Sequence, residues 1–370
     1  MSRTLAAPAR TLPTPVRGRL ADDREILLYD SDTGLGVDRR DLPRRSPLPV
    51  TTVRRDPRTG DRVIVAPARQ ERTYHPPRQM CPLCPDPDGR SSEIPAADYR
   101  VAVLENRFPA LSTVGVPYRA VPEANPLRVE ELGTGRCEVV CFSSDHDGSF
   151  AALSDEHARL MIDVWAHRTA ELFARDDIAE VYCFENRGAE IGVTLAHPHG
   201  QIYGYPFRTR RTRDLLRTAA AYRAEHGTDL FESILADEIA DRTRLLVRTE
   251  HTTAFVPFAA RWPVEVHVYP NRHVRNLIDL TAAEADDLAL VYLTVLRAFD
   301  ALYARPLPYI ASWHQYRADA EEGYLHAELF SVRRSADKLK YLAGSESGRD
   351  AFLNDKTPET IAADLRAVIA

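Results

Sequence analysis

Two histidines straddle a proline at His197-Pro198-His199, and Gly200-Gln201 completes the run. In an extended segment, residues two apart point to one side. Pro198 fixes φ and removes a donor, which stiffens the segment. Gly200 lets a ligand approach the backbone closely. The Gln201 amide can donate to a phosphate oxygen without bringing charge. A neutral imidazole is a competent nucleophile toward phosphorus near neutral pH. A lone histidine would read as a hydrogen-bonded strand end. The five residues together favour chemistry.

A second signal is Cys81-Pro82-Leu83-Cys84, whose spacing is a common half-site for zinc and calls for two more ligands. The same spacing also reads as a pair of ordinary thiols. The chain has five cysteines, an odd number, which in a reducing compartment favours metal binding over a disulfide framework.

An internal repeat shows which elements must position these residues. Sliding the chain by 127 positions sets His146 on His273, Leu153-Ser154 on Leu280-Thr281 and Val164-Trp165 on Val291-Tyr292. The same shift sets His199 on His326, Gln201 on Glu328 and Tyr203 on Phe330 without a gap. Each unit runs strand, helix, strand, loop, strand. Glu138–Phe142 and Val264–Tyr269 read as the first strands. Ser154 and Thr281 are candidate helix caps, and Glu284 completes the capping-box spacing. Met161, Val164, Trp165 and Leu172, together with Leu160, form one apolar helix face; Leu288, Val291, Tyr292, Val295 and Phe299 form the other. Strands follow at Glu180–Glu185 and Tyr309–Trp313. The last strand of each unit carries His199 or His326. The expected fold is α+β, two tandem units with a largely antiparallel sheet.

The expected organisation is a partly flexible N-terminal arm over residues 1–45, a first unit over 46–210 and a second over 211–370. The arm is rich in Arg, Pro and Asp and shows little periodicity. Ordered signals begin after it, with a turn at Asp56-Pro57-Arg58-Thr59-Gly60 and a strand at Val63-Ile64-Val65. Hydrophobic residues make up 44% of the 370 and charged residues 28%, as in a globular protein. The net charge of −6 argues against a nucleic-acid binder. No apolar run reaches membrane-spanning length, and MSRTLAAPARTLPTPVRGRL lacks the apolar core of a signal peptide. No membrane partner is expected, and a cytoplasmic location is the default.

Over roughly residues 50–370 the sequence resembles the galactose-1-phosphate uridylyltransferases of the histidine-triad superfamily. The resemblance rests on His197-Pro198-His199-Gly200-Gln201 and on landmarks in the same order. These are Arg69-Gln70-Glu71-Arg72, Cys81-Pro82-Leu83-Cys84, Glu105-Asn106-Arg107-Phe108, Phe142-Ser143-Ser144-Asp145-His146, Phe184-Glu185-Asn186-Arg187-Gly188 and Ser312-Trp313-His314. It implies two tandem histidine-triad units and a ping-pong nucleotidyltransferase of galactose metabolism. His199 would attack the α-phosphorus of UDP-glucose and release glucose 1-phosphate. Galactose 1-phosphate would then take the uridylyl group as UDP-galactose. Gln201 would hold phosphate oxygens; a glutamine cannot protonate a leaving group, which suits transfer over hydrolysis.

The resemblance also implies a structural zinc on Cys81, Cys84, His146 and His197. The second unit cannot copy that site, because Tyr324 stands in place of His197 and no second CxxC exists. Some family members carry another metal there, iron or zinc; the matching residues are His314, His326 and Glu328, with Asp214 the candidate fourth ligand. Glu328 stands where the family has histidine. Arg69 and Arg72 match residues near the nucleotide phosphates, and Asn106 and Arg107 match residues beside the uridine. Asn186, Gly192, Val193 and Thr194 match positions around sugar and phosphates. Lys340, Tyr341, Ser345 and Glu346 match a segment that reaches the partner subunit's site in a homodimer. Arg107 replaces an acidic residue, Leu195-Ala196 replaces Asn-Pro, and Ser345 replaces an aromatic residue. These departures keep a second reading open, an ADP-sugar or dinucleoside polyphosphate phosphorylase or adenylyltransferase of the same superfamily. A third reading, a zinc-stabilised nucleotide-binding protein without turnover, conflicts with the intact His199 and Gln201.

Overall fold

A computed structural model describes residues 10–30, 35, 38, 50–72, 74–86, 92–112 and 125–369. The first unit contains β1 (Val16–Arg19), β2 (Glu25–Tyr29), β3 (Thr52–Arg55), β4 (Arg62–Val65), β5 (Val101–Glu105), β6 (Glu130–Leu132) and β7 (Arg136–Cys141). Helix α1 (Asp155–Phe173) and strands β8 (Glu180–Arg187) and β9 (His199–Tyr205) complete it. Two helices follow, α2 (Arg210–His226) and α3 (Leu230–Asp241). The second unit has β10 (Leu245–Arg248), β11 (Thr252–Phe255), β12 (Val264–Pro270), α4 (Ala282–Ala301), β13 (Tyr309–His314) and β14 (His326–Ser331). A hairpin of β15 (Arg333–Ser335) and β16 (Lys338–Leu339) and helices α5 (Gly344–Arg349) and α6 (Pro358–Arg366) close the chain.

Eleven strands form one sheet in the order β1-β2-β5-β7-β9-β8-β13-β14-β12-β11-β10. Every neighbouring pair is antiparallel. The two units therefore join edge to edge, through β8 and β13. The expected α+β fold with an antiparallel sheet is what forms. Strands β4, β3 and β6 make a separate small sheet. The turn expected at Asp56–Gly60 closes its hairpin: the Gly60 amide donates to the Asp56 carbonyl at 2.8 Å, with Gly60 at φ +74°.

Helices α1 and α4 begin where the sequence reading puts them. The Ser154 side chain accepts from the His157 amide. Thr281 and Glu284 form a reciprocal capping box. Both helices pack on one face of the sheet. Met161, Val164, Trp165 and Leu172 are buried, as are Leu288, Val291, Tyr292, Val295 and Phe299, while Leu160 is only partly buried. Trp165 meets Tyr292 and Trp313, so the rings of the two units share one core. Arg168 of α1 also holds the buried carboxylate of Glu138 with two hydrogen bonds, at 2.7 and 2.9 Å.

Strand residues alternate between faces. The face away from α1 and α4 carries the chemistry. Gln201 pairs with Phe184, Phe184 with Ser312, and Ser312 with Glu328. Gln201 and its repeat counterpart Glu328 thus end one cross-strand row, roughly 14 Å long by three interstrand spacings.

Two expectations need correction. Ordered structure does not begin after residue 45. Residues 16–29 of the expected arm form the β1–β2 hairpin at the sheet edge, and Ile26–Tyr29 are buried. The charges that suggested a mobile arm are used in packing. Arg24 is buried on Asp22, Glu93 and the Glu105 carbonyl, and Arg10 meets Asp163 at 3.1 Å. Residues 1–9, and most of 31–49, lie outside the described residues. The gapless repeat is the second correction. Gln201 faces Val139 across β7, whereas Glu328 faces His267 across β12. In that strand the offset is 128, because Val139 rather than Val140 corresponds to His267. A one-residue slip moves every side chain to the other face.

Candidate active site and metal-ligand clusters

His199 opens β9, directly after a bend at His197. Its Nδ1 lies 2.8 Å from the His197 carbonyl oxygen. A carbonyl only accepts, so Nδ1 carries the proton and Nε2 keeps a lone pair. Burial lowers the His199 pKa, with the His197 carbonyl pulling the other way. The net lowering favours the neutral ring, with its Nε2 lone pair available. Gly200 is buried, and strand packing rather than a ligand's approach requires it. A Cβ there would sit 2.8 Å from the Phe184 carbonyl oxygen and 2.9 Å from the Phe142 ring.

His199 faces a cavity of about 260 Å³ that also receives His197, Asn186, Val193, His75 and Ser149. Its far wall is the loop between β8 and β9, which turns at Gly188 (φ +106°) and the exposed Gly192 (φ +83°). The Thr194 carbonyl accepts from the His75 amide at 2.9 Å, tying this loop to the segment before Cys81. The sequence reading missed His75, which stands alone without a motif. Gln201 and Tyr203 follow His199 on the same face of β9. Arg69 donates to the Tyr203 hydroxyl at 3.2 Å and to the Phe108 carbonyl at 3.4 Å. Burial raises the Tyr203 pKa, and the charges of Arg69 and Arg72 oppose that, so both arginines lie within electrostatic reach of this strand.

The remaining expected contacts lie elsewhere. The Asn106 side chain accepts from the Phe108 amide at 2.8 Å and shapes a turn. Arg107 lies over the Phe108 ring and 3.9 Å from Glu93. Lys340 and Glu346 pair with each other at 3.0 Å, Ser345 donates to the Ala351 carbonyl, and Tyr341 is 65% exposed. None of these residues lines the His199 cavity.

Cys81, Cys84, His146 and His197 converge, their donor atoms all within 4.8 Å of one another. Cys84 Sγ lies 3.3 Å from His146 Nδ1 and 3.6 Å from His197 Nδ1. His197 Nε2 donates to the Ser143 carbonyl at 2.8 Å, beside the Tyr99 hydroxyl at 3.0 Å. That bond leaves the Nδ1 lone pair facing the thiols, the support that metal-ligating histidines need. The two imidazole planes cross at 76°, so they share points a single ion could occupy. Two thiols and two imidazoles on crossing planes fit a four-coordinate ion.

The second cluster gathers His314, His326 and Glu328, donors again within 4.8 Å. His326 Nδ1 donates to the Tyr324 carbonyl at 2.7 Å, repeating the His199 arrangement. Arg211, at the start of α2, holds both Glu328 oxygens through Nη2, at 2.6 and 2.7 Å. His267 Nε2 is 3.9 Å from the same carboxylate. Asp214 does not join this group; it pairs with Arg210 and Arg217 on α2. The sequence reading missed Arg211 and His267. Alternation along β12 was the signal for His267, and the one-residue slip concealed it.

A duplicated antiparallel unit that places a histidine with a free Nε2 lone pair beside a thiol–imidazole cluster in one copy only has the make-up of a tandem histidine-triad-type transferase. Two family profiles match the chain, Galactose-1-phosphate uridyl transferase, N-terminal domain, over residues 47–209 and the C-terminal domain over 215–369. The chain belongs to the galactose-1-phosphate uridylyltransferase family. It is 49% identical over 304 residues to the galactose-1-phosphate uridylyltransferase of Streptomyces lividans, covering 80% of this chain and 79% of that one. It is 34% identical over 318 residues to that of Thermotoga maritima, covering 85% and 97%. A solved uridylyltransferase structure superposes with TM-score 0.75 at 32% identity, over 86% of this chain and 98% of the other. An ADP-glucose phosphorylase from Arabidopsis thaliana, at 22% identity and TM-score 0.64, shares the fold. Among the described residues no helix is long and apolar enough to cross a membrane.

Proposed function

We propose that the protein exchanges UMP between UDP-glucose and galactose 1-phosphate, through a uridylyl group carried on His199. The observation that carries this reading is the 2.8 Å bond from His199 Nδ1 to the His197 carbonyl, which presents Nε2 to the cavity. Nε2 bonds to the α-phosphorus as the bond to the bridging oxygen breaks, and glucose 1-phosphate leaves with that electron pair. The imidazole becomes cationic, and the His197 carbonyl stabilises the Nδ1 proton it already holds. A phosphate oxygen of galactose 1-phosphate then attacks, the P–N bond breaks, and UDP-galactose forms with His199 neutral again. The Gln201 amide lies on the same face to donate to a non-bridging oxygen, and Arg69 and Arg72 supply positive charge near it.

Cys81, Cys84, His146 and His197 would hold zinc. When bound, the ion supplies a structural tie between the segment near residue 80 and the segment leading into β9, with no part in the displacement. A homodimer agrees with the exposed Tyr341 and with Ser345, which would reach a second copy's site. Five free cysteines agree with a cytoplasmic location.

The test is label retention. Incubation with UDP-glucose labelled on the α-phosphorus should leave label on the protein, and galactose 1-phosphate should discharge it. Labelling from ADP-glucose in preference would overturn the uridylyl assignment. Absence of label from either nucleotide would overturn the covalent route.

A further inference from the structure

The two clusters of metal-type donors look alike by distance and differ in geometry. An ion bound to an imidazole lies close to the ring plane, along the nitrogen lone pair, at about 2.0–2.1 Å for zinc. His146 and His197 satisfy this for one shared ion, because their planes cross at 76°. His314 and His326 are stacked, with centroids 4.5 Å apart and planes 5° from parallel. Planes stacked so nearly parallel meet only far from the rings, so no point at coordination distance lies along a lone pair of each.

The third donor is already engaged. Glu328 is 7% exposed, and both its oxygens accept from Arg211 Nη2. Arg211 is directed there by its helix start. Thr209 caps α2 and is itself held by Glu180, at 2.8 Å through its amide and 3.0 Å through its hydroxyl. His314 Nε2 lies 3.4 Å and His326 Nε2 3.7 Å from the same carboxylate. A further carboxylate of the same pocket, Glu265, already accepts from the Arg261 and Trp262 amides and lies 3.2 Å from His267 Nε2. A divalent ion would thus add two charges beside the Arg211 guanidinium, while the pocket's other carboxylates, Glu180 and Glu265, are already held by Thr209 and by the Arg261 and Trp262 amides.

We infer that the Arg211 guanidinium is the resident cation of the second cluster, which binds no metal, and that the chain holds one ion per molecule. The stoichiometry of one rests on the zinc reading of the first cluster; the exclusion at the second does not.

The experiment is metal analysis of the full-length protein, expressed with zinc and iron supplied, with cobalt titration beside it. The expected result is one equivalent per chain, unchanged in Glu328→Gln and lost in Cys84→Ser. The single cobalt equivalent should show thiolate charge-transfer absorption. A second equivalent without thiolate absorption, or loss of metal in Glu328→Gln, would overturn the inference and needs no stable cysteine variant to be seen. No bound metal at all would overturn the zinc reading and uphold the exclusion at the second cluster. Arg211→Met adds a further arm: tight binding of a second ion only in that variant supports the guanidinium as the occupant, and binding already present in the parent protein counts against it.

Discussion

His199 Nδ1 donates a hydrogen bond to the carbonyl oxygen of His197 across 2.8 Å. The donor is the proposed nucleophile, and the acceptor residue belongs to the thiol–imidazole cluster. Only Pro198 separates them, so the order of the cluster and the aim of the nucleophile are set by one stiff step of backbone.

Replacing His199 by alanine should remove transfer and leave the fold. A loss of about 10⁴-fold or more in kcat is expected for a deleted nucleophile. Far-UV circular dichroism and the melting temperature should stay close to those of the parent. Normal turnover by the variant would sink the mechanism.

Gly200→Ala should damage both stability and rate. The added methyl would press on the Phe184 carbonyl and the Phe142 ring. Overpacking of this kind costs about 1–3 kcal/mol. The neighbouring His199 would shift with the strand. An unaltered melting temperature and kcat would show that β9 yields more easily than its contacts suggest.

Cys81→Ala should release the ion and lower the melting temperature, because binding and folding are coupled at such sites. The ratio of activity with UDP-glucose to that with ADP-glucose should hold. If stability and metal content both stayed at the parental level, the structural role would be wrong.

Glu185 gives a pH signature. Burial pushes its carboxyl up to about 8, while the Tyr309 hydroxyl and the Arg187 charge partly oppose that and Asp300 adds to it. The folded protein keeps the proton where the unfolded chain has lost it. Stability linked to Glu185 is therefore full below the ordinary carboxylate range and falls as pH rises toward 8, by at most about 1.4 kcal/mol per pH unit. Glu185→Gln should gain in melting temperature relative to the parent between pH 5 and 8. A constant difference across that range would place the carboxyl in its charged form.

The repeat, the helix caps and the strand that carries His199 were legible because each depends on local signals. Ser154 and Thr281 cap α1 and α4 through their own side chains. The His197–Gln201 run is contiguous. What escaped depends on distant partners. The β1–β2 hairpin was hidden because its charges look solvated until Arg24 is seen against Glu93. His267 was hidden by a single-residue slip between β7 and β12. Arg211 has no motif at all, and its role exists only once α2 lies over β14.

The β8–β13 seam has a consequence for how the molecule comes apart. Six residue pairs, from Tyr309 with Arg187 to His314 with Tyr182, stitch the halves with main-chain bonds. Such a seam is no hinge. Ligands must pass through the cavity mouth, since the halves cannot part to admit them. Heat should likewise erase both halves in one cooperative step, and the amides of β8 and β13 should be among the last to exchange with solvent.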